Sequence, residues 1–324
     1  MEREGYDFLT HLKRIREVSD HTLRNYCTDL NRFTLFLKKI GFCPSTIPLL
    51  STKKIGALEL FPLFDWQLIS KDIIRQYLAY LHQRGVSRNT LLRHLSSLRS
   101  FFLYLKKTKI LAHNPMEEVE RPRPYTTLPV ILSYEEVNQL LTRPNVGDFF
   151  GMRDRSMLEL LYSSGLRVGE LAALNRQDVH ATSRLLHVRG KGGRERLVPV
   201  TACAAGWIER YLTHPKRYEE GKPWREQDVQ AIFLNKWGNR ISTRSVDRLF
   251  KKYFYESGLS GKVTPHTIRH TIATHWLERG MDLKTIQKIL GHRLLGTTTL
   301  YTQVSMNLKR EVYLRSHPRA REEP

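Results

Sequence analysis

Four prolines, Pro115, Pro122, Pro124 and Pro129, crowd the polar stretch 114–130. Each lacks a backbone donor and fixes its own φ, so this density excludes both a helix and a central strand. The stretch reads as a linker, and it divides the 324 residues in two. Residues 1–113 make one candidate domain and residues 131–324 a second, each large enough to bury its own core.

In the first part, apolar residues recur at the helical period. Phe8, Leu9, Leu12 and Ile15 begin the pattern. After Ser19-Asp20, a capping position, Leu23, Tyr26, Leu30, Phe33 and Leu37 repeat it. The stretch 42–68 carries Pro44, Pro48 and Pro62 and lacks a clean period. It is expected to be a long connection with room for one short helix. Helices are expected again at 71–84, through Ile73, Ile74, Tyr77, Leu78 and Leu81, and at 87–107, through Leu91, Leu95, Leu98, Phe102 and Leu105. The last of these also carries Arg88, Arg93, Arg99, Lys106 and Lys107. These residues either form a solvated face or meet a polyanion.

The second part opens on a helix at 133–142, where Ser133 and Glu136 have the spacing of a capping box. A helix over about 154–164 is expected to stop at Gly165. Leu185–Val188 and Leu197–Val200 flank Gly190-Lys191-Gly192-Gly193, which predicts a short hairpin. From 202 to about 312 the chain reads as mainly helical, with a short apolar segment at Ala231–Leu234.

Charge narrows the partners. Lys and Arg number 53 against 32 Asp and Glu, a net +21. DNA carries one negative charge per ~1.7 Å of axis, and release of its counterions favours a chain of this sign. Anionic lipid would require a basic amphipathic helix with bulky apolar anchors, and none is visible. No apolar run reaches the ~18 residues of a bilayer span. Cys27, Cys43 and Cys203 form no CxxC pair, and Met1–Gly5 begins no apolar leader. A cytoplasmic protein without membrane anchor is expected.

Several residues could carry chemistry. In Thr264-Pro265-His266-Thr267-Ile268-Arg269, threonine and proline suit a helix start, which places His266 in the first turn. Arg269 falls three residues on, at the edge of the Ile268, Ile272, Trp276 stripe. A charge there needs a partner, either a phosphate or an internal carboxylate. Arg167 follows the stop at Gly165 and begins a new helix. It is either a surface arginine paired with Glu170 or one of a pair of phosphate ligands. Lys191 sits on the hairpin turn, as a solvated lysine or as an acid for a leaving alkoxide. His292 lies just past a helix ending at Gly291, and Tyr301 follows nine residues later. A tyrosine hydroxyl of pKa ~10 attacks only when a base or nearby cations activate it. The glycines around Lys191 lack the spacing of a nucleotide loop, and the histidines accompany no zinc-ligand set. His270 and His275 read as structural. No metal and no cofactor are expected.

The order Arg167, hairpin Lys191, His266-x-x-Arg269, Gly291-His292, Tyr301 resembles the catalytic signature of the tyrosine recombinase (phage integrase) family. Asn89-Thr90-Leu91 and Leu98–Phe102 resemble that family's core-binding domain. Arg153–Glu159 and His317–Ala320 resemble its Xer group. The resemblance implies a mainly α chain of two domains. One is a helical, SAM-like core-binding domain; the other is a mixed α/β catalytic domain with a small β-hairpin sheet. It implies that Tyr301 attacks a DNA phosphate to give a 3′-phosphotyrosyl link and that Arg167 and Arg269 clamp the non-bridging oxygens. Lys191 would protonate the 5′-oxygen, His266 would handle the tyrosine proton, and His292 would hydrogen-bond the phosphoryl group. Arg88, Arg93, Arg99 and Arg244 are candidate DNA contacts. The implied partners are double-stranded DNA with a dif-like site, a XerD-like recombinase in a heterotetramer, and an activating protein. Each protomer is expected to form a C-shaped clamp, with the helical domain on one side of the duplex and the catalytic domain on the other. The implied role is resolution of chromosome dimers. The implied tail beyond Tyr301 docks on a neighbouring protomer through Val312 and Leu314. A phage or transposon integrase of the same chemistry and a catalytically inactive DNA-binding protein are the alternatives.

Overall fold

The structure is a computed structural model that describes residues 2–55, 64–120, 130–180, 182–190, 193, 195–223, 225–261 and 263–291. The chain divides into two compact units between residues 126 and 127.

The first unit is built on helices α1 (Glu2–Arg14), α2 (Asp20–Lys39), α3 (Lys71–Gln83) and α4 (Arg88–Lys107). Short polar caps start three of them. The side chains of Ser19, Ser70 and Ser87 accept from Thr22, Ile73 and Thr90 amides, which satisfies donors left open in a first turn. The stripes seen in sequence meet in one core: Phe8, Leu9 and Leu12 with Leu23, Leu30, Phe33 and Leu37, Tyr77 and Leu81, and Leu95, Leu98 and Phe102. Trp66 fills its centre, edge-on to Phe101 at 4.9 Å. Ile15 departs from expectation. It is exposed, because α1 ends at Arg14. Among the described residues, the connection after α2 holds two single 3-10 turns, Thr52–Lys54 and Trp66–Leu68.

The second unit starts with α5 (Tyr134–Thr142), closed by the capping box of Ser133 and Glu136. Next comes α6 (Phe149–Ser164), which begins well before 154 because Asp148 caps it through the amides of Phe150 and Gly151. It ends at Gly165 with φ +61. A Cβ at Gly165 would lie 2.6 Å from the Leu290 side chain, so a larger residue would have to displace Leu290 as well as take up a left-handed backbone. Helix α7 (Val168–Ala173) follows. An antiparallel sheet comes next, β1 (Val179–His180), β2 (Leu185–Arg189) and β3 (Glu195–Pro199), in that order. The hairpin was expected; β1 was not, since two residues leave no alternation to read. Val188 pairs with Arg196 and Leu186 with Val198. Alternation turns Leu186, Val188 and Val198 into the core and sets Arg196 on that same face.

Helices α8 (Ala202–Leu212), α9 (Thr243–Glu256), α10 (Pro265–Glu278) and α11 (Leu283–Leu290) complete the unit. Between α8 and α9 the expectation of helix fails. Beyond one 3-10 turn at Pro215–Tyr218 and isolated antiparallel bridges of Ala231 with Asn175 and of Leu234 with Arg240, the described chain there is irregular, and it is organised around fully buried Arg217. That guanidinium donates to the carbonyls of Ala231 and Ile232 and to Glu226.

Candidate active site

Arg167, Glu170, Arg196 and Arg269 come from three elements and meet at the carboxyl end of α11. Arg167 is the N-cap of α7, and its position follows from the turn at Gly165. Glu170, in the first turn of α7, reaches back to accept the Arg167 amide at 2.9 Å and its Nη1 at 2.9 Å. Arg196 arrives from β3 and offers its two terminal nitrogens to the two Glu170 oxygens, each at 2.9 Å. Arg269 comes from α10, with Nη1 4.0 Å from Glu170. Among the described residues, three arginines thus surround one carboxylate.

The same arginines cap α11. The last carbonyls of a helix have no partner within it and carry the negative end of its dipole. Arg196 Nε donates to Ile289 O at 2.8 Å, Arg269 Nη2 to Leu290 O at 2.5 Å, and Arg167 Nη2 to Gly291 O at 3.3 Å. Arg269 also holds Gly165 O, through Nη1 at 2.5 Å. Gly291 stands at φ +66, and a Cβ there would come within 3.3 Å of the Arg196 guanidinium. The glycine therefore permits both the turn and the close approach.

Burial raises the Glu170 carboxyl, but the hydrogen bonds and charges of Arg196 and Arg167 outweigh it and hold its pKa below the ordinary value. The group stays an anion at neutral pH. Arg167 keeps its side chain 39% exposed, whereas Arg269 is 5% exposed. Of the two, Arg167 is the one open to an incoming anion. His266 stands in the first turn of α10, where Pro265 opens the helix and Thr267 Oγ1 accepts the Thr264 amide at 3.1 Å. Desolvation against the site lowers the His266 pKa, and the charges of Arg269 and Arg167 push the same way against Asp247. That shift favours the neutral ring.

The expected residues thus divide into three groups. Arg167, His266 and Arg269 come together. Lys191, His292 and Tyr301 lie outside the described residues, as do Val312 and Leu314. Among the candidate DNA contacts, Arg93 Nη1 lies 2.7 Å from buried Asp29 and Arg99 Nη2 donates to Val119 O at 2.5 Å. Arg88 and Arg244 are exposed. Neither alternative for Arg269 is exclusive, since an internal carboxylate and two carbonyls already flank it. His275 is buried, 2.9 Å from the Tyr162 hydroxyl and stacked on Tyr134. Among the described residues no group of three His, Cys, Asp or Glu is placed to hold a metal.

Glu170 as a shared centre and Arg196 as its main partner escaped the sequence reading. One signal was available for Arg196. It stands two residues before Val198 on an alternating strand, so it points inward, and an inward arginine requires a partner.

Similarity to known proteins points the same way. A model of the phage integrase family matches residues 131–307, and a model of the phage integrase N-terminal SAM-like domain matches residues 6–111. A protein named tyrosine recombinase XerC from Chlamydia caviae is 50% identical over 314 residues, 97% of this chain and 98% of its own length. Its namesake from Chlamydia pneumoniae is 49% identical over 316 residues, again 97% and 98%. In fold, the chain resembles the crystal structure of the XerH site-specific recombinase bound to palindromic difH substrate, a post-cleavage complex. The TM-score is 0.70 at 19% identity, covering 93% of this chain and 82% of that one. No described helix is long and apolar enough to cross a membrane.

Proposed function

The chain belongs to the phage integrase family, and from that membership we propose how its residues divide the work of a site-specific tyrosine recombinase. It is an enzyme that cuts and rejoins DNA strands. The Tyr301 hydroxyl attacks the scissile phosphorus and passes its proton to the neutral ring of His266. The P–O bond to the 5′-oxygen breaks, and Lys191 gives that oxygen a proton. A 3′-phosphotyrosyl ester results. Attack by a 5′-hydroxyl from another strand reverses the steps, so the phosphodiester energy is retained and no nucleotide cofactor is consumed. Arg167 and Arg269 ligate the non-bridging oxygens and stabilise the charge that grows on them. His292 donates a hydrogen bond to the same group. Phosphoryl transfer depends mainly on such positioning and charge.

The observation that carries this reading is the convergence of Arg167 and Arg269 on the end of α11, beside His266. The segment leading to Tyr301 leaves from that point. In its finer form, the protein acts in the cytoplasm on a dif-like site, in a heterotetramer with a XerD-like partner, and resolves chromosome dimers. The support is the near full-length similarity to proteins named tyrosine recombinase XerC.

A nicked duplex carrying a candidate site tests the chemistry, because loss of the short cut product traps the covalent complex. The wild-type protein is expected to give a detergent-stable adduct and Tyr301→Phe none. An adduct of equal yield in the variant removes Tyr301 from the role of nucleophile.

A further inference from the structure

We propose that Arg196 is a positioning residue for strand cleavage, joining β3, Glu170 and the last turn of α11 so that β3 and the end of α11 stay in register with Arg167 and Arg269. The inference rests on the roles proposed above for Lys191, His292 and Tyr301.

Arg196 is 14% exposed, so it is poorly placed to meet DNA itself. Its donors are instead directed to two other elements. The terminal nitrogens fork onto Glu170, and Nε reaches Ile289 O. A planar fork of this kind fixes direction as well as distance, which a lysine ammonium cannot do. The two ends of this connection matter. On one side, Arg196 is the second residue of β3, paired with Val188 of β2, and Lys191 lies between these two strands in sequence. On the other, its guanidinium lies 3.3 Å from where a Cβ of Gly291 would stand, one residue before His292. Glu170 in turn orients Arg167. One side chain therefore connects the elements carrying the proposed acid, the proposed phosphate ligands and the proposed nucleophile. A displacement of ~1 Å among such groups can cost about 100-fold in rate.

The test measures single-turnover cleavage by the full chain at saturating protein. Two nicked duplexes are used, one with an ordinary scissile phosphate and one with a 5′-bridging phosphorothiolate, whose sulfur leaves without needing a proton. DNA affinity and thermal midpoint are measured alongside. Arg196→Ala is expected to bind DNA as the wild type does and to cleave the ordinary phosphate about 100-fold more slowly. The phosphorothiolate should restore the part of that loss that passes through Lys191, as it should for Lys191→Ala. Arg196→Lys should fall between, since it keeps the charge and loses the fork. Wild-type cleavage by Arg196→Ala, or a loss explained by weaker DNA binding, would each overturn the proposal. If Arg196→Ala does not fold, Arg196→Lys decides alone, and wild-type rates with it are the overturning result. A wild-type protein that forms no Tyr301-dependent adduct would instead remove the underlying reading.

Discussion

Glu170 holds Arg196 by both carboxylate oxygens, at 2.9 Å each, while keeping Arg167 at 2.9 Å through one of them. The carboxylate is 6% exposed, so its charge is set almost wholly against these guanidinium groups. Removing one partner from a buried ionic cluster leaves the others uncompensated, at a cost of about 3–5 kcal/mol. Glu170→Ala should show a loss of that order in urea denaturation. Inorganic phosphate should then stabilise the variant more than the wild type, because the cations accept a substitute anion. Equal stabilisation of both proteins would contradict the charge argument.

Gly165 and Gly41 separate two reasons for a glycine. Both have positive φ, +61 and +71, but a Cβ at Gly41 meets nothing within 4 Å. Gly41→Ala should therefore cost only the left-handed backbone, about 1–2 kcal/mol. Gly165→Ala adds a clash with Leu290 and should cost more. It should also slow cleavage, since the Leu290 carbonyl receives Arg269. Similar midpoints for the two variants in thermal denaturation would show that the site absorbs the extra carbon.

Arg93 and Arg244 should respond differently to alanine. Arg93 faces Asp29, whose side chain is fully buried, whereas Arg244 is exposed at the start of α9. Arg93→Ala should lower the stability of the first unit. Arg244→Ala should leave stability unchanged and reduce the slope of log affinity against log salt by about 0.9, the effect of one lost phosphate contact on duplex DNA. An unchanged slope would mean that Arg244 makes no such contact.

Acid should weaken the first unit through His94. Burial, then the charges of Arg93 and Arg32, lower its pKa from 6.5 to about 4. The unfolded chain takes up that proton first, so stability is complete above pH ~6.5 and is lost as pH falls toward ~4. Asp29 opposes this in part, because burial raises its carboxyl and the folded chain protonates it earlier. The urea midpoint should fall between pH about 7 and about 5, and His94→Gln should flatten that fall. A fall of the same size in the variant would remove His94 from the account.

What could be read in advance depended on distance along the chain. Helices announced themselves because their caps and stripes are local: Ser19 and Ser133 begin helices, and Gly165 and Gly291 end them. The start of α6 is hidden in the sequence because Phe149 and its neighbours show no polar face that would mark Asp148 as the cap. The segment around Arg217 misled for another reason. Its order comes from carbonyls 14 and 15 residues away, which leave no periodic trace. The grouping of Arg167, His266 and Arg269 was legible only through resemblance, since each alone has an ordinary structural use. Glu170 looked like a local partner of Arg167, and it is one. Its larger part depends on Arg196, 26 residues on, and on α11, 93 residues beyond that.

Three arginines donate to Ile289, Leu290 and Gly291, and two of them are the proposed ligands of the DNA phosphate. A helix end and a phosphate are both negative, and they draw on one set of donors. Occupancy by one must therefore change the free energy of the other, and thermodynamic linkage makes that influence mutual. A neighbouring molecule that loosens the end of α11 would alter how firmly the scissile phosphate is held. A bound phosphate would, by the same amount, alter how firmly that end is held.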